Sequence, residues 1–389
     1  MNCQKALFSI EPGTHYINGA YMSPSMNSVE AAGIQGVMRK SRPWQVTPQD
    51  FFTESEKLRS LFAQIVNAAS AQQVAFIPSV SYGMAIVAKN LPVKKGQKII
   101  VAAAQFPSNV YPWMTLAREK GVEVQTINMP DAPENRAQRW NELILDAIDN
   151  RTALVALGHI HWANGTIFDL KAMSQKVHAG GGLIAVDGTQ SVGALPVDVQ
   201  DFELDALVCG GYKWLMGPYS LGYAWLNEVF HQGSPLEENW INRFNSEDFT
   251  QLTEYQSAYQ PGALRYDVGE HSNFALVPMG IAALEQLLAW GPGNIQQYCR
   301  NLTANAVKIW QEYGFGVENE AFRAAHLFGI ELPKHISPDH LQQVLKEHHI
   351  SVSVRGKFVR IAPNVYNDAA DIAALTKVLT SVSSSPKAG

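Results

Sequence analysis

Short uninterrupted apolar runs, bounded by glycines or polar turn residues, recur through the first part of the chain at Val74-Ala-Phe-Ile77, Ala153-Leu-Val-Ala-Leu157, Gly182-Leu-Ile-Ala-Val-Asp187 and Leu204-Asp-Ala-Leu-Val-Cys209. Runs of this length without polar alternation predict strands buried on both faces, as in a parallel sheet. Between them lie segments of helical pattern, so the alternation predicts an α/β fold, a mostly parallel sheet flanked by helices up to about Leu226. The polar, acidic segment Pro235 to Gly262 has weak periodicity and reads as surface loops. Phe274 to Tyr313 reads as helix broken near Gly291-Pro292-Gly293. Beyond it, His326 to Leu332, a helix over Pro338 to His348, a strand over Ile350 to Val354 and a last helix over Ala369 to Val382 predict a small α/β domain.

Two polar residues at the ends of these runs stand out. Asp187 closes one apolar run, at the carboxyl end of a strand where open α/β sheets place their ligands. The next run leads through Gly210-Gly211 to Lys213, set between Tyr212 and Trp214. An amine desolvated in such a place becomes a nucleophile. The residues alone leave a second reading open, a surface lysine whose stem covers aromatic rings.

Asp187-Gly188-Thr189-Gln190-Ser191 followed by Gly210-Gly211-Tyr212-Lys213-Trp214 resembles the paired signature of fold-type I pyridoxal-phosphate enzymes, specifically the class V aminotransferase superfamily. Cysteine desulfurases, selenocysteine lyases, kynureninases and isopenicillin N epimerase-like proteins belong to that group. The resemblance runs from about Tyr16 to about Leu379 and implies the fold-type I fold, with pyridoxal 5'-phosphate as cofactor.

The same resemblance assigns roles. Lys213 matches the Schiff-base lysine that also moves protons at the substrate α-carbon, and Asp187 the carboxylate that keeps the pyridinium nitrogen protonated. Gln190, expected one helical turn after Asp187, matches the residue that hydrogen-bonds the cofactor's phenolic oxygen. Val80 and Ser81, in a turn expected over Pro78 to Gly83 before a helix Met84 to Lys89, occupy the phosphate-cup positions, where backbone N–H groups at a helix start favour an anion. Val80 departs from the glycine or alanine of many relatives, so its amide is the expected contact. Phe106 falls where many relatives stack a histidine on the pyridine ring; kynureninase-like members use phenylalanine, which stacks without moving protons.

Trp162 stands where desulfurases carry an asparagine, which points to a different substrate. Arg360 matches the arginine that clamps an α-carboxylate bidentately, Arg355 a second arginine of lyase-type members, both on one strand-like stretch from Val354 to Pro363. Asn18 lies in Tyr16-Ile17-Asn18-Gly19-Ala20, which fits the family's entry segment lining the substrate pocket. Ser272, in Arg265 to Phe274, is the hydroxyl expected to cross a homodimer interface to the partner's cofactor phosphate.

Cysteine desulfurases take up sulfur on a mobile cysteine near the Arg355 region. The three cysteines here are Cys3, Cys209 and Cys299, and none lies there. The expected activity is therefore that of a lyase- or epimerase-like enzyme on a small amino acid without a persulfide cysteine, the lyase cleaving carbon–sulfur or carbon–selenium bonds. The alternatives are a class V aminotransferase and a non-catalytic binding module on the same fold. His159 and His161 face one side of an extended segment, but no third ligand is apparent from spacing, and no metal is expected.

With 389 residues and 46% hydrophobic content the chain can bury a large core. The expected division is a large cofactor-binding domain over 15–262, a dimer-interface loop and connecting helix over 263–312, and a small domain over 313–389 packed with residues 1–14. The net charge of −5 offers no basic surface for nucleic acid. Sparse cysteines, no signal-peptide pattern and no bilayer-length apolar run lead to the expectation of a cytoplasmic enzyme. Only the tail Ser-Ser-Ser-Pro-Lys-Ala-Gly reads as disordered.

Overall fold

The computed structural model describes residues 1–131 and 134–384. Its central sheet has seven strands, β1 (Val74–Ile77), β2 (Lys98–Ala102), β3 (Glu123–Ile127), β4 (Thr152–Gly158), β5 (Leu183–Asp187), β6 (Ala206–Gly210) and β7 (Gly222–Leu226). Their spatial order is β1-β7-β6-β5-β4-β2-β3. All neighbours are parallel except that β7 runs against both β6 and β1. Opposed to β7, β1 points the same way as the five other strands, so six carboxyl ends open on one edge. Connections leave β4 in one direction towards β5, β6 and β7, whereas β2 and β3 lie on its other side. The crevice at this reversal is the natural ligand position of an open α/β sheet.

The unbroken apolar runs are explained by helices on both faces. Phe76 of β1 packs with Leu58, Phe62, Val277 and Leu284 on one side of the sheet. Its neighbours Ala75 and Ile77 pack with Met84, Val87, Trp113 and Leu116 on the other. Period-two alternation thus feeds two cores, which is why Val74–Ile77 is apolar at every position.

A second sheet comprises β8 (Gly316–Val317), β9 (Phe328–Glu331), β10 (Ser353–Arg355) and β11 (Phe358–Ile361), ordered β10-β11-β9-β8 and wholly antiparallel. Phe328, Ile330, Val359 and Ile361 pack with Trp310, Leu341, Leu375 and Leu379. The N-terminal segment joins this body. His15–Tyr16 pairs in parallel with Ile350–Ser351, and Ile17 is buried in the same core. Gln4 N donates to Val365 O at 2.7 Å, and His15 Nδ1 lies 2.7 Å from Asp371 Oδ1.

Several local expectations need correction. The helix after β1 starts at Val80, not Met84, because Ser79 caps it, with Tyr82 N donating to Ser79 Oγ at 3.3 Å. Gln190 sits in a turn, not a helix. The strand expected from Ile350 to Val354 is split between two sheets, and the stretch Val354 to Pro363 is a hairpin that reverses at Gly356, whose φ is +57°. The break at Gly291 is present, with helices Leu276–Trp290 and Pro292–Glu312 on either side. Gly291 has a φ of +76° and Pro292 opens the next helix, the arrangement each residue favours. Ser383 and Ser384 complete the last helix, Ala369–Ser384, and the tail from 385 onwards lies outside the described residues. No helix among the described residues is long and apolar enough to cross a membrane.

Candidate active site

The carboxyl ends of β1, β2, β4, β5 and β6 surround a cavity of about 430 Å³. Its wall brings together Val80, Ser81, Phe106, Trp162, Asp187, Gln190 and Lys213 from five separate stretches of the sequence. Asp187 is buried at the end of β5 and accepts the Thr189 backbone N–H at 2.9 Å. Burial pushes its carboxyl up from the ordinary range, while Thr189 and the nearby Lys213 amine act in the opposite direction.

Lys213 follows β6 in a tight turn. A Cβ on Gly211 would lie 2.5 Å from Leu221 O, so that position tolerates no side chain. Met216 N donates back to Lys213 O at 3.0 Å. Burial lowers the Lys213 amine to about 8; Asp187 opposes the shift and Arg360 adds to it. Nζ lies 5.6 Å from the Phe106 ring centroid and 5.5 Å from that of Tyr212, so aromatic rings replace much of its water.

Phe106 is 40% exposed and stands at the mouth, meeting Trp162 edge to face at 5.7 Å. The Trp162 indole N–H donates to Ala104 O at 2.7 Å. Ala104 holds a φ of +52°, a strained conformation for a residue with a Cβ, and belongs to the turn that leads from β2 to Phe106. Behind Asp187, Gln190 is held at its amide: Oε1 accepts the Trp214 indole N–H at 2.9 Å and Nε2 donates to Ala20 O at 3.1 Å. Indole is only a donor, so the amide orientation is fixed and one of its two N–H groups remains to spare.

Four expected residues do not line this cavity: Asn18, Ser272, Arg355 and Arg360. Arg360, on β11, is buried, and its Nη1 donates to Trp162 O at 2.9 Å. Nη2 donates to Ser353 Oγ at 3.2 Å and approaches Asn18 Oδ1 at 3.5 Å, while Nε is buried with no partner. Burial and neighbouring Arg355 bring the Arg360 guanidinium down to about 10. Arg355 lies 5.8 Å from the Trp162 ring. Ser272 is buried in the loop before Leu276–Trp290.

The two histidines separate rather than share a ligand. His161 lines the cavity and is bound to Asn164 Oδ1 at 3.1 Å and Ala103 O at 3.2 Å, whereas His159 packs against Phe202. No group of three or more His, Cys, Asp or Glu among the described residues is placed to hold a metal. Cys209 and Cys299 are buried, Cys3 is exposed, and none of the three lines the cavity.

Sequence reasoning passed over Thr189, Tyr212 and Trp214 as working residues, although all three stand within the quoted motifs. Thr189 ties the ends of β5 and β6 together, since its Oγ1 accepts Gly210 N–H at 3.2 Å. Their signal was adjacency to Asp187 and Lys213; the partners became visible only in three dimensions.

The family model for class-V aminotransferases matches residues 41–375. A curated cysteine desulfurase of Escherichia coli is 30% identical over 250 residues, 64% of this chain. That match spans 59% of the desulfurase's length. Among solved structures, a cysteine desulfurase from Escherichia coli superposes with a TM-score of 0.80 at 20% identity, covering 97% of each chain. A lysine-to-alanine mutant of C-DES with glycine covalently linked to its PLP cofactor gives 0.84 at 17% identity over 97% of this chain and 99% of that one. The cystine C-S lyase C-DES in complex with its product cysteine persulfide gives 0.83 at 18% identity, covering 95% and 98%.

Proposed function

The chain belongs to the class-V aminotransferase family of pyridoxal-phosphate enzymes, and from that membership we propose a lyase- or epimerase-like enzyme for a small amino acid, with carbon–sulfur or carbon–selenium bond cleavage as the leading reaction. One observation carries the reading. A desolvated Lys213 amine and a buried Asp187 carboxylate face the same cavity, and no cysteine stands in its wall.

The residues present suit the cofactor. Asp187 is a buried carboxylate with room for a cationic ring nitrogen, Phe106 offers a ring to stack on, and Gln190 has an N–H to spare. The first-turn N–H groups of Val80 and Ser81 have no intrahelical acceptor and suit a phosphate. Pyridoxal phosphate, when bound, supplies an electron sink for the pair left behind as a bond at the substrate α-carbon breaks.

Lys213 holds the cofactor and serves as the proton carrier. With a pKa of about 8 its amine keeps a neutral fraction near pH 7 that an exposed lysine lacks. Arg360 takes the substrate carboxylate, for which its unpartnered Nε is the available donor, with Asn18 beside it. Trp162 and Phe106 exclude water above Lys213, and Arg355 stands at the Trp162 ring as a second cation. Ser272 serves the phosphate of a second copy in a homodimer, built from a large domain, a connecting helix and a small domain that includes the N-terminal segment.

The relatives named cysteine desulfurases make L-cysteine the first substrate to offer, and cystine, selenocysteine and D-amino acids complete the panel. Lyase action predicts a keto acid, ammonia and the released sulfur or selenium species, with no persulfide retained on the protein. An epimerase would instead interconvert L and D forms, and an aminotransferase would require an added keto acid. Borohydride reduction that fixes the cofactor to a residue other than Lys213 would remove Lys213 from its role.

A further inference from the structure

Behind the cavity, Gln190 is held at a second point, its backbone carbonyl, which lies 2.8 Å from His326 Nε2. His326 follows the connecting helix and precedes β9, so the contact reaches the cavity wall from the second sheet. The other ring nitrogen, Nδ1, faces Gln296 Nε2. Gln296 itself cannot flip: Nε2 also donates to Ala194 O at 2.6 Å, and Oε1 accepts Ala325 N–H at 3.0 Å. Nδ1 therefore meets a donor and must present its lone pair, which leaves Nε2 to carry the proton given to Gln190 O. The neutral Nε2–H tautomer is dictated by the partners at both ends.

The ring also packs edge to face on Trp214, centroids 4.4 Å apart and planes at 84°. Trp214 is the residue whose N–H fixes the Gln190 side chain. Two rings packed on each other thus hold the backbone oxygen and the side-chain oxygen of a single glutamine. A positive charge has no place here, since His326 is buried and its second buried neighbour, His159, has an Nδ1 with no partner. Burial brings His326 down to about 4 and His159 to about 3.

We infer that His326 is a positioning residue of the cofactor site: as the neutral Nε2–H tautomer set by Gln296, it acts with Trp214 to keep the spare Gln190 N–H aimed into the cavity. The inference rests on Gln190 being the donor to the cofactor's phenolic oxygen.

The test uses the cofactor-loaded protein and two readouts. Nitrogen NMR of ¹⁵N-histidine protein, with the His326 signals identified by their loss in His326→Gln, is expected to show the Nε2–H tautomer unchanged between pH 6 and 9. An Nδ1–H tautomer, or titration in that range, overturns the inference whatever the cofactor does. The second readout is the pH midpoint of the bound cofactor's visible absorption band. His326→Phe keeps the ring and loses both hydrogen bonds. It should raise that midpoint by roughly one to two pH units, the equivalent of one hydrogen bond to the anionic oxygen. His326→Gln, whose amide can still donate to Gln190 O, should stay near the wild-type value. Should His326→Phe not fold, Trp214→Phe, which keeps an aromatic ring but removes the indole N–H arm, is expected to raise the midpoint in the same direction. Equal midpoints in wild type and Trp214→Phe, or equal shifts in His326→Phe and His326→Gln, overturn the inference. A Gln190→Ala protein with an unmoved midpoint would instead overturn the assignment of Gln190, a failure distinct from the tautomer result.

Discussion

Arg360 and Trp162 meet across the two sheets, the guanidinium Nη1 donating to the indole residue's backbone carbonyl at 2.9 Å. The small sheet is thereby fastened to the segment that follows β4, at the mouth of the cavity. Replacing Arg360 by alanine is expected to lower kcat/KM for the amino acid by roughly 30-fold to 1,000-fold, mainly through KM, the usual range for truncating one partner of a buried charge pair. Arg360→Lys should recover little of it, because an ammonium cannot keep the planar set of contacts to Trp162 O and Ser353 Oγ and still present a separate N–H. Steady-state kinetics decides; an unchanged kcat/KM would take Arg360 out of the substrate site.

Lys213 is expected to weaken the cofactor-free protein. Its amine drops from 10.5 to about 8 on folding, so the folded state binds fewer protons than the unfolded chain between those values. Stability therefore rises as pH climbs from about 8 towards 10.5, and the full penalty is present below about 8. Lys213→Met should be the more stable protein at pH 7, by up to about 3 kcal/mol, and its advantage should shrink by pH 9.5. Urea unfolding at the two pH values measures the difference. A constant difference would mean that the amine is solvated.

Asp187→Asn keeps the shape of the side chain and removes its charge. The ring nitrogen loses the partner that keeps it protonated, so kcat should fall by about 100-fold or more at unchanged fold. The cofactor-free variant should meanwhile be at least as stable as wild type at pH 7. Burial raises the Asp187 carboxyl, so the ionised form carries a cost above that pKa which vanishes as pH falls below the unfolded value. Loss of stability together with activity would identify Asp187 as a structural residue.

Arg59 is wholly buried, with Nη2 2.7 Å from Asp267 Oδ2, and Asp267 Oδ1 also accepts the Phe76 N–H at 2.7 Å. The pair anchors β1, whose end delivers Val80 and Ser81. Arg59→Met leaves a buried carboxylate without its cation and should cost about 3–5 kcal/mol. Arg59→Met combined with Asp267→Asn should recover part of it. Denaturant midpoints of the two proteins provide the comparison.

The elements that sequence reasoning located well are those whose local signal and tertiary role coincide. Val74–Ile77, Leu183–Asp187 and the interruption at Gly291 are fixed by burial on two faces or by backbone preference. The hairpin at Gly356 was missed because Arg355 and Arg360 look like neighbours on one strand until the glycine at positive φ turns the chain between them. Asp187 and Lys213 were legible as a pair through their flanking glycines and strand ends. The network of Asn18, Ser353 and Arg360 was not, because it joins three distant segments through side-chain atoms that carry no periodic signal.

His15 and Asp371, whose side chains meet at 2.7 Å, are 356 positions apart. His15 and Ile17 thus belong to a body whose remaining parts are made much later in translation. The seven-stranded sheet, complete once Leu226 has been added, can assemble during translation, while Ile17 must wait for its core until the closing helix has emerged. Joining segments this distant is slow. Docking of the His15–Ile17 segment is therefore expected to come late in folding, after the seven-stranded sheet has formed.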